Sequence, residues 1–530
     1  MSNRTYTAIT IGPIYKTISD AKRTRAVWAA SYFFSWFSRR ILEEAMNANM
    51  QVFLPDTSGV QKDANGKFQG LKSKNGAGFY ADRLYFINDE HTNKDKLKQI
   101  VEQLYLELTQ KSLKDKDFIS NYLNVHIIEK TITEDDLKNN YPLAILNNIL
   151  DQKELHQNFN FDFEENKLQA LLNKKNGEDS FLSVDAFGNE KQRVFKSISE
   201  IATTSFARDK QFNVNYKKAV LNDLKSKGEG DLMEELRKSN LPLMPAHKYF
   251  AVLYADGDNI GKLLKDINQK NLDLKKFSKS LFDFGQKAEK TIADYGGSGI
   301  YLGGEDILVF APVVCLNKDN TAEQYTIFKL IEQLDEDFAQ TVQQYAKENS
   351  LPIPTLSFGV MTAYYKHPLK EVMNKAYNLL SEKAKEGNKN KIAFLFQKHS
   401  GQQFEAIIDK NDSKTTQLIY GLIEQYCKKP KTQEDKADEL LSSIIQRYRD
   451  AVFVQLFSES IENKTLEALF QNFFNEKIHK DSANPKTQFL EAVKNFSESI
   501  YKQYEDKTLA IKNIFTVLRF IHFVNSQKEN

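Results

Sequence analysis

Only two cysteines, Cys315 and Cys427, occur in 530 residues. They are too few for a disulfide framework or a four-cysteine zinc site, and they fit a reducing compartment. No apolar run approaches the ~20 residues needed to cross a bilayer, and the N-terminus lacks the basic-then-apolar pattern of a signal peptide. The expectation is a soluble cytoplasmic protein without membrane contact. A dominant charge sign is also missing, since 73 basic and 71 acidic residues leave a net +2. Nucleic-acid binding must then come from local patches rather than a global field. Lys16, Lys22, Arg23, Arg25, Arg39 and Arg40 near the start form one such cluster, and Lys428, Lys429 and Lys431 another. Solvated helix faces account for most clusters of this kind.

What the chain does carry is a pair of acidic segments about fifty residues apart. Asp256-Gly257-Asp258-Asn259-Ile260-Gly261-Lys262 follows the apolar run Tyr249 to Tyr254. Gly303-Gly304-Glu305-Asp306 lies between two further runs, Gly299–Leu302 and Ile307–Pro312, and reads as the tip of a hairpin. Adjacent antiparallel strands can hold both sets of oxygens on one patch. Mg²⁺ favours few carboxylates plus substrate phosphates, and a pair of ions can clamp the attacking and leaving oxygens of an in-line displacement. Paired glycines suit a turn with positive φ and close approach of a nucleotide.

Commoner readings fail on spacing. An EF-hand starting at Asp256 needs an oxygen ligand at its fifth position and Glu at its twelfth, where the chain has Ile260 and Ile267. A Walker loop needs four residues between its glycines and Ser or Thr after its lysine, but Gly257 and Gly261 enclose three and Leu263 follows Lys262. A dinucleotide fingerprint fails likewise. Alone, Gly303-Gly304-Glu305-Asp306 reads as a polar hairpin turn; with Asp256 upstream, a two-metal nucleotidyl-transfer site is the better reading.

Length implies three or four domains at about 150 residues each. The opening predicts a strand over Thr5–Ile11 and a long helix from Ile14 to Asn47, whose stripe Trp28, Tyr32, Phe33, Trp36 and Phe37 is core. Strands follow at 51–54 and 83–87 around a loop from Ser58 to Gly78, then helices and polar connections from Lys94 to Leu241. From His247 the order is strand 249–255, helices to Asp294, strands 299–302 and 307–312, helix 321–347, strand 355–362, helix 368–385 and strand 391–397. Its first part is a β-α-β-β-α-β ferredoxin-like unit. After Ser400 the pattern is wholly helical, with stripes such as Phe453, Leu456, Phe457 and Leu466, Leu469, Phe470. The likeness of Ala8–Pro13 to Ala251–Asp256 hints at duplication, with Pro13 at the position of the carboxylate.

In this combination the chain resembles the large polymerase/cyclase subunit of type III CRISPR effector complexes, in the Cmr (III-B) branch. The resemblance rests on Ile11-Gly12-Pro13, the stretch Ala21–Tyr32, the acidic segments, Ser357-Phe358-Gly359-Val360, Lys366-His367-Pro368-Leu369, and Ala384-Lys385 with Lys389-Asn390-Lys391. It covers the first ninety residues and about 247–401. It implies an α/β (α+β) fold with two ferredoxin-like palm domains, the second catalytic and GGDEF/cyclase-like. The domains would be a first palm over 1–165, a helical connection over 166–246, a second palm over 247–400 and a helical domain over 401–530.

The resemblance further implies ATP as substrate. Asp256, Asp306 and Glu305 would hold two Mg²⁺ or Mn²⁺ ions, although the family usually has two aspartates after the glycines. Backbone amides of Gly257, Asp258 and Asn259, with Gly303 and Gly304, suit the triphosphate. Lys385 and Lys389 would neutralise it, or are simply an exposed helix end. Expected partners are guide RNA, target RNA and the other Cmr subunits; the expected product is a cyclic oligoadenylate, or ATP joined to S-adenosylmethionine. None of the eight histidines precedes an aspartate, so no HD nuclease chemistry is expected, and two cysteines cannot form the family's four-cysteine site, so no zinc is expected. An inactive scaffold and a free-standing nucleotide cyclase are the alternatives.

Overall fold

The computed structural model describes residues 3–21, 23–73, 75–111, 120, 122–137, 140–155, 195–225, 231–427, 437–474 and 485–526. The basic run at Lys428, Lys429 and Lys431, Lys22, and residues 166–194 and 226–230 of the expected helical connection lie outside them.

The chain opens with strand β1 (Arg4–Gly12), helices α1 (Ile14–Asp20) and α2 (Thr24–Asn47), and strand β2 (Val52–Leu54). A short hairpin, β3 (Val60–Lys62) and β4 (Phe68–Gly70), precedes β5 (Arg83–Ile87), helix α3 (Lys94–Lys111), β6 (Asn124–Ile132) and helix α4 (Pro142–Leu155). β1 is antiparallel to both β5 and β6, which gives the order β2-β5-β1-β6. Helix α2 contains no glycine or proline, and Trp28, Phe33 and Phe37 of its aromatic stripe are fully buried, as the periodicity requires.

Three expectations here need correction. The helix from Ile14 is two helices, because Ala21 and Arg23 take extended backbone. The stretch Ser58–Gly78 contains the β3–β4 hairpin. Residues 124–132 form a strand along the edge of the first sheet, half-exposed and rich in polar side chains, so its apolar alternation is weak.

Helical segments at 198–208, 213–225 and 232–238 lead to the second sheet: β7 (Tyr249–Asp258), helices α5 (Ile260–Gln269) and α6 (Leu274–Tyr295), β8 (Ser298–Gly303) and β9 (Asp306–Pro312). After the hairpin β10 (Val314–Leu316) and β11 (Gln324–Thr326) come helix α7 (Ile327–Phe338), β12 (Thr355–Tyr364), helix α8 (Leu369–Asn378), β13 (Lys391–Gln397) and β14 (Gln403–Asp409). The sheet order is β14-β13-β12-β7-β9-β8. Its core, β12-β7-β9-β8, repeats the connectivity of β6-β1-β5-β2, so two ferredoxin-like units stand in one chain and β1 and β7 occupy equivalent central places. The helix expected from 321 begins at Ile327, after the β10–β11 hairpin.

The pattern after Ser400 is not wholly helical, because β14 adds a sixth strand. Helices α9 (Ser413–Cys427), α10 (Ala437–Arg447), α11 (Ala451–Glu462), α12 (Leu466–Phe473), α13 (Pro485–Gln503) and α14 (Lys507–Asn525) follow. α14 covers the edge of β14: Asn513 accepts from Ile407 N at 2.9 Å and donates to Ile407 O at 2.8 Å, while Thr516 donates to Glu405 O at 2.9 Å. Those bonds satisfy main-chain groups that an open sheet edge would leave bare. Phe453, Phe457 and Phe470 are buried among these helices, whereas Leu456 is partly exposed.

The two palms are joined at the edge of β8. Gly78 donates to Ile300 O at 3.3 Å and accepts from Leu302 N at 2.9 Å, and Ser31 of α2 donates to Ile300 O at 2.8 Å. A Cβ on Gly78 would lie 2.9 Å from that of Ser35, so glycine lets this strand edge and α2 approach.

Candidate active site

β7 and β9 are in register from Phe250↔Pro312 to Ala255↔Ile307. One further step sets Asp256 opposite Asp306, and directly opposed side chains on antiparallel strands share a face at roughly 5 Å between Cβ atoms. Gly303 pairs with Asp306, leaving Gly304-Glu305 as the turn, with Gly304 at φ 70°. A Cβ on Gly257 would come within 2.8 Å of the Glu305 Cβ, so the absence of a side chain there lets the turn fold against the end of β7. The structure thus brings Asp256, Glu305 and Asp306 together.

Asp256 and Asp306 open onto a cavity of about 620 Å³ between the two palms. Tyr254, Tyr301, Tyr377 and Leu308 line its second-palm side. Pro13, Tyr15, Lys16, Asp82, Asn124 and Glu154 line the first-palm side. Sequence reading placed Lys16 only in a basic cluster and missed the other five as site residues; the signal available was the duplicated strand, which put Pro13 where β7 has its carboxylate. Burial pushes the Asp82 carboxyl above its ordinary range.

Lys385 is aimed into the same corner. Gly359 on β12 has no Cβ, and one built there would lie 2.3 Å from Ala376 O, so α8 packs directly on the strand. α8 continues as a π-helical turn over Leu379–Ala384, a feature often found at functional sites, and Lys385 follows it at once. Its ammonium forms an ion pair with Asp256 and donates to Gly257 O at 2.9 Å. Lys389, in a left-handed turn with Asn390, donates instead to Asn259 Oδ1 at 3.3 Å.

Asp258 has a different surrounding. Its carboxylate is fully buried and accepts from Thr355 Oγ1 at 2.8 Å, Ser357 Oγ at 2.8 and 3.0 Å, and Asn390 N at 3.0 Å. It ties the end of β7 to β12 and to the Lys389-Asn390 turn. Asn259 then takes a left-handed conformation, φ 62°, and begins α5.

The electrostatics of the corner are strained. Removal from bulk water holds Glu305 above the ordinary carboxylate range, and the charge of Asp256 adds to this. Asp306 presents open surface to the cavity, yet the protein crowded around it, with Glu305 and Asp256, holds it well above that range. Lys385 opposes both shifts. Three repelling carboxylates with one ammonium suit a hard divalent cation. Among the described residues no three His, Cys, Asp or Glu side chains form a ready-made cage.

Two of the cationic candidates near the start have acidic partners. Arg40 bonds to Glu43 and Glu107 at 3.1 Å and to Glu44 at 2.9 Å, and buried Arg39 lies 3.7 Å from Glu43. Among the described residues, no helix is long and apolar enough to cross a membrane.

Residues 249–393 match the family described as Cas10/Cmr2, second palm domain, and residues 6–116 match that described as CRISPR-associated protein Cmr2, N-terminal. CRISPR system Cmr subunit Cmr2 of Pyrococcus furiosus is 27% identical over 188 residues, which cover 30% of this chain and 20% of that protein. A type III-B Cmr-beta structure in the apo state superposes with a TM-score of 0.54 at 13% identity, covering 99% of this chain and 82% of the other. A Csm1–Csm4 cassette in complex with cA3 superposes with a TM-score of 0.51 at 12% identity, covering 99% and 70%. The Cmr2 N-terminal and the Cas10/Cmr2 second-palm families are thus matched in order, and the fold along the chain is similar to that of the Cmr-beta structure.

Proposed function

We propose that this chain is the messenger-forming subunit of a type III CRISPR effector complex, converting ATP into a nucleotide product when the guide complex holds its target RNA. In the transfer step an acceptor hydroxyl oxygen bonds to the α-phosphorus of ATP. The bond from that phosphorus to the α,β-bridging oxygen breaks, pyrophosphate departs and the hydroxyl proton is released. The observation that carries this reading is the pairing of Asp256 and Asp306 across β7 and β9 on the wall of the inter-palm cavity, with Lys385 beside them.

Asp256, Asp306 and Glu305 would hold Mg²⁺ or Mn²⁺; when bound, such ions stabilise charge on the phosphoryl oxygens. The chain's own residues position the reactants. Amides at Gly257–Asn259 and the start of α5 face the phosphates, and Lys385 exchanges its carboxylate partner for a phosphate oxygen. The cavity suits a second nucleoside-bearing reactant, with Tyr15, Tyr254 and Tyr377 as stacking surfaces. That reactant is a further adenosine nucleotide, giving a cyclic oligoadenylate, or S-adenosylmethionine, giving a conjugate. The Csm1–Csm4 cassette crystallised with cA3 supports the former.

RNA-dependent pyrophosphate release from ATP by the assembled complex tests the step. Release that disappears in Asp256→Ala is expected; equal release by that variant would refute the assignment.

A further inference from the structure

A second cavity, of about 370 Å³, opens at the other end of the catalytic strand. Tyr249 begins β7 there, and Asp256 lies seven residues on, about 23 Å along the strand at 3.3 Å per residue. Tyr364 at the end of β12 pairs with Tyr249, so the cavity sits where β7 starts and β12 and β13 finish. α14 closes its other side with Arg519, His522 and Phe523.

Its lining is cationic and aromatic. Arg237, Lys398 and Arg519 face it with Tyr364, His399 and Phe523, and no aspartate or glutamate lines it. Nearby cations do have acidic partners: Lys383 and Lys512 bond to Glu405, and Lys410 to Asp335. Among the described residues Lys398, Arg519 and Arg237 have none. Burial lowers the proton affinity of Lys398, and repulsion from Arg519 and Arg449 lowers it further. The Arg519 Nε is buried without a hydrogen-bond acceptor, and Arg519 and the exposed Arg449 both lie against the ring of Phe515, at 6.0 and 5.8 Å. The cavity's rings pack in pairs that leave aromatic faces and edges on its wall: His399 lies 4.4 Å from Tyr364, and Phe523 packs on Tyr249 at 4.7 Å.

Uncompensated cations in a hollow are tolerated where an anion completes them. One phosphate would satisfy Lys398 and Arg519, but Arg237 also lines the cavity and Arg449, beside Arg519 on the Phe515 ring, carries the positive charge beyond it, which matches a polyanion rather than a lone ion. Cations tracking a backbone, with aromatic faces between them, are the recognition chemistry of single-stranded nucleic acid.

We propose that this cavity is a single-stranded RNA site, in which phosphates lie on Lys398, Arg519 and Arg449 and one base enters against Tyr364 and His399. The proposal is separate from nucleotidyl transfer, because none of its residues touches the inter-palm cavity.

Fluorescence anisotropy of the purified full chain with a fluorescein-labelled oligouridylate of about twelve nucleotides tests it. Lys398→Ala/Arg519→Ala is expected to weaken binding about tenfold or more at about 100 mM salt. It should also make the plot of log affinity against log salt shallower by about 1.4, the contribution of two single-strand phosphate contacts. The melting temperature of this variant should stay level or rise, since like charges are removed, so a binding loss with an intact melt cannot be ascribed to unfolding. Lys217→Ala/Lys218→Ala, on an exposed helix, should bind as the parent does. Unchanged affinity and slope in Lys398→Ala/Arg519→Ala would overturn the proposal. So would displacement of the RNA by AMP at equal phosphate concentration, which would assign the cavity to a free nucleotide.

Discussion

Replacing Asp258 with alanine would remove the acceptor for Thr355, Ser357 and the Asn390 amide at one stroke. The carboxylate is fully buried, so water cannot take its place without opening the sheet. Hydrogen bonds to a charged acceptor contribute about 1.5–3 kcal/mol each. The Ser357 hydroxyl also lies 3.4 Å from Ala384 O and can turn toward it, which recovers part of one bond. The expected net loss is about 3–5 kcal/mol, the range seen when one member of a buried charged network is deleted. At about 2–4 °C per kcal/mol, the melting transition of the second palm should fall by about 6–20 °C. Scanning calorimetry on the purified chain measures this, and a double-mutant cycle with Ser357→Ala should give a coupling of about 1 kcal/mol or more. Product formation should drop as well, because the Lys389-Asn390 turn loses its tie to β7. A fall below about 1 kcal/mol, or strict additivity with Ser357→Ala, would refute the role of Asp258 as the brace beneath the site.

Asp306→Asn should abolish product formation yet raise the melting temperature at neutral pH in EDTA, because it removes a carboxylate that its surroundings hold well above the ordinary range; a lower melting temperature would contradict that strain. For Glu405, burial pushes the carboxyl up, but hydrogen bonds from Lys383 and Lys512 outweigh it and hold it below the ordinary range. Its stabilisation is therefore present above the unfolded carboxylate pKa of about 4.3 and lost as pH falls through the folded value, so Glu405→Gln should melt lower than the parent at pH 7 and converge with it in strong acid. Gly257→Ala should cost about 1–3 kcal/mol and most of the activity, since its Cβ would collide with Glu305 and Ile260; parental activity in a steady-state assay would refute the close approach. Lys385→Met should depress turnover more than it depresses stability, as judged by rate assays alongside thermal melts.

Much of this architecture can be read from the chain before folding. Arg83–Ile87 and Lys391–Gln397 were placed because each is a short apolar run bounded by polar turns, and the hairpin at Gly304-Glu305 because glycines mark it. β6 escaped because Asn124–Ile132 is an edge strand with polar side chains on much of its length. β14 escaped because a single strand after Ser400 is followed by more than a hundred residues of helical periodicity. Within the site, Asp256, Glu305, Asp306 and Lys385 came from motifs whose spacing is local. Asp82, Asn124 and Glu154 came from another palm, and only docking of the two sheets brings them to the cavity. The brace at Asp258 depends on Thr355, Ser357 and Asn390, about a hundred residues or more away, and the π-turn that aims Lys385 has no sequence mark.

The most direct test of nucleotidyl transfer at the β7–β9 corner is mass spectrometry of the products made by the assembled complex with guide RNA, matching target RNA, Mg²⁺ and ATP, with and without S-adenosylmethionine. An adenylate product that requires the target RNA and vanishes in Asp256→Ala/Asp306→Ala is the predicted result. The same mixture of nucleotides from parent and variant would contradict it and leave the chain a scaffold.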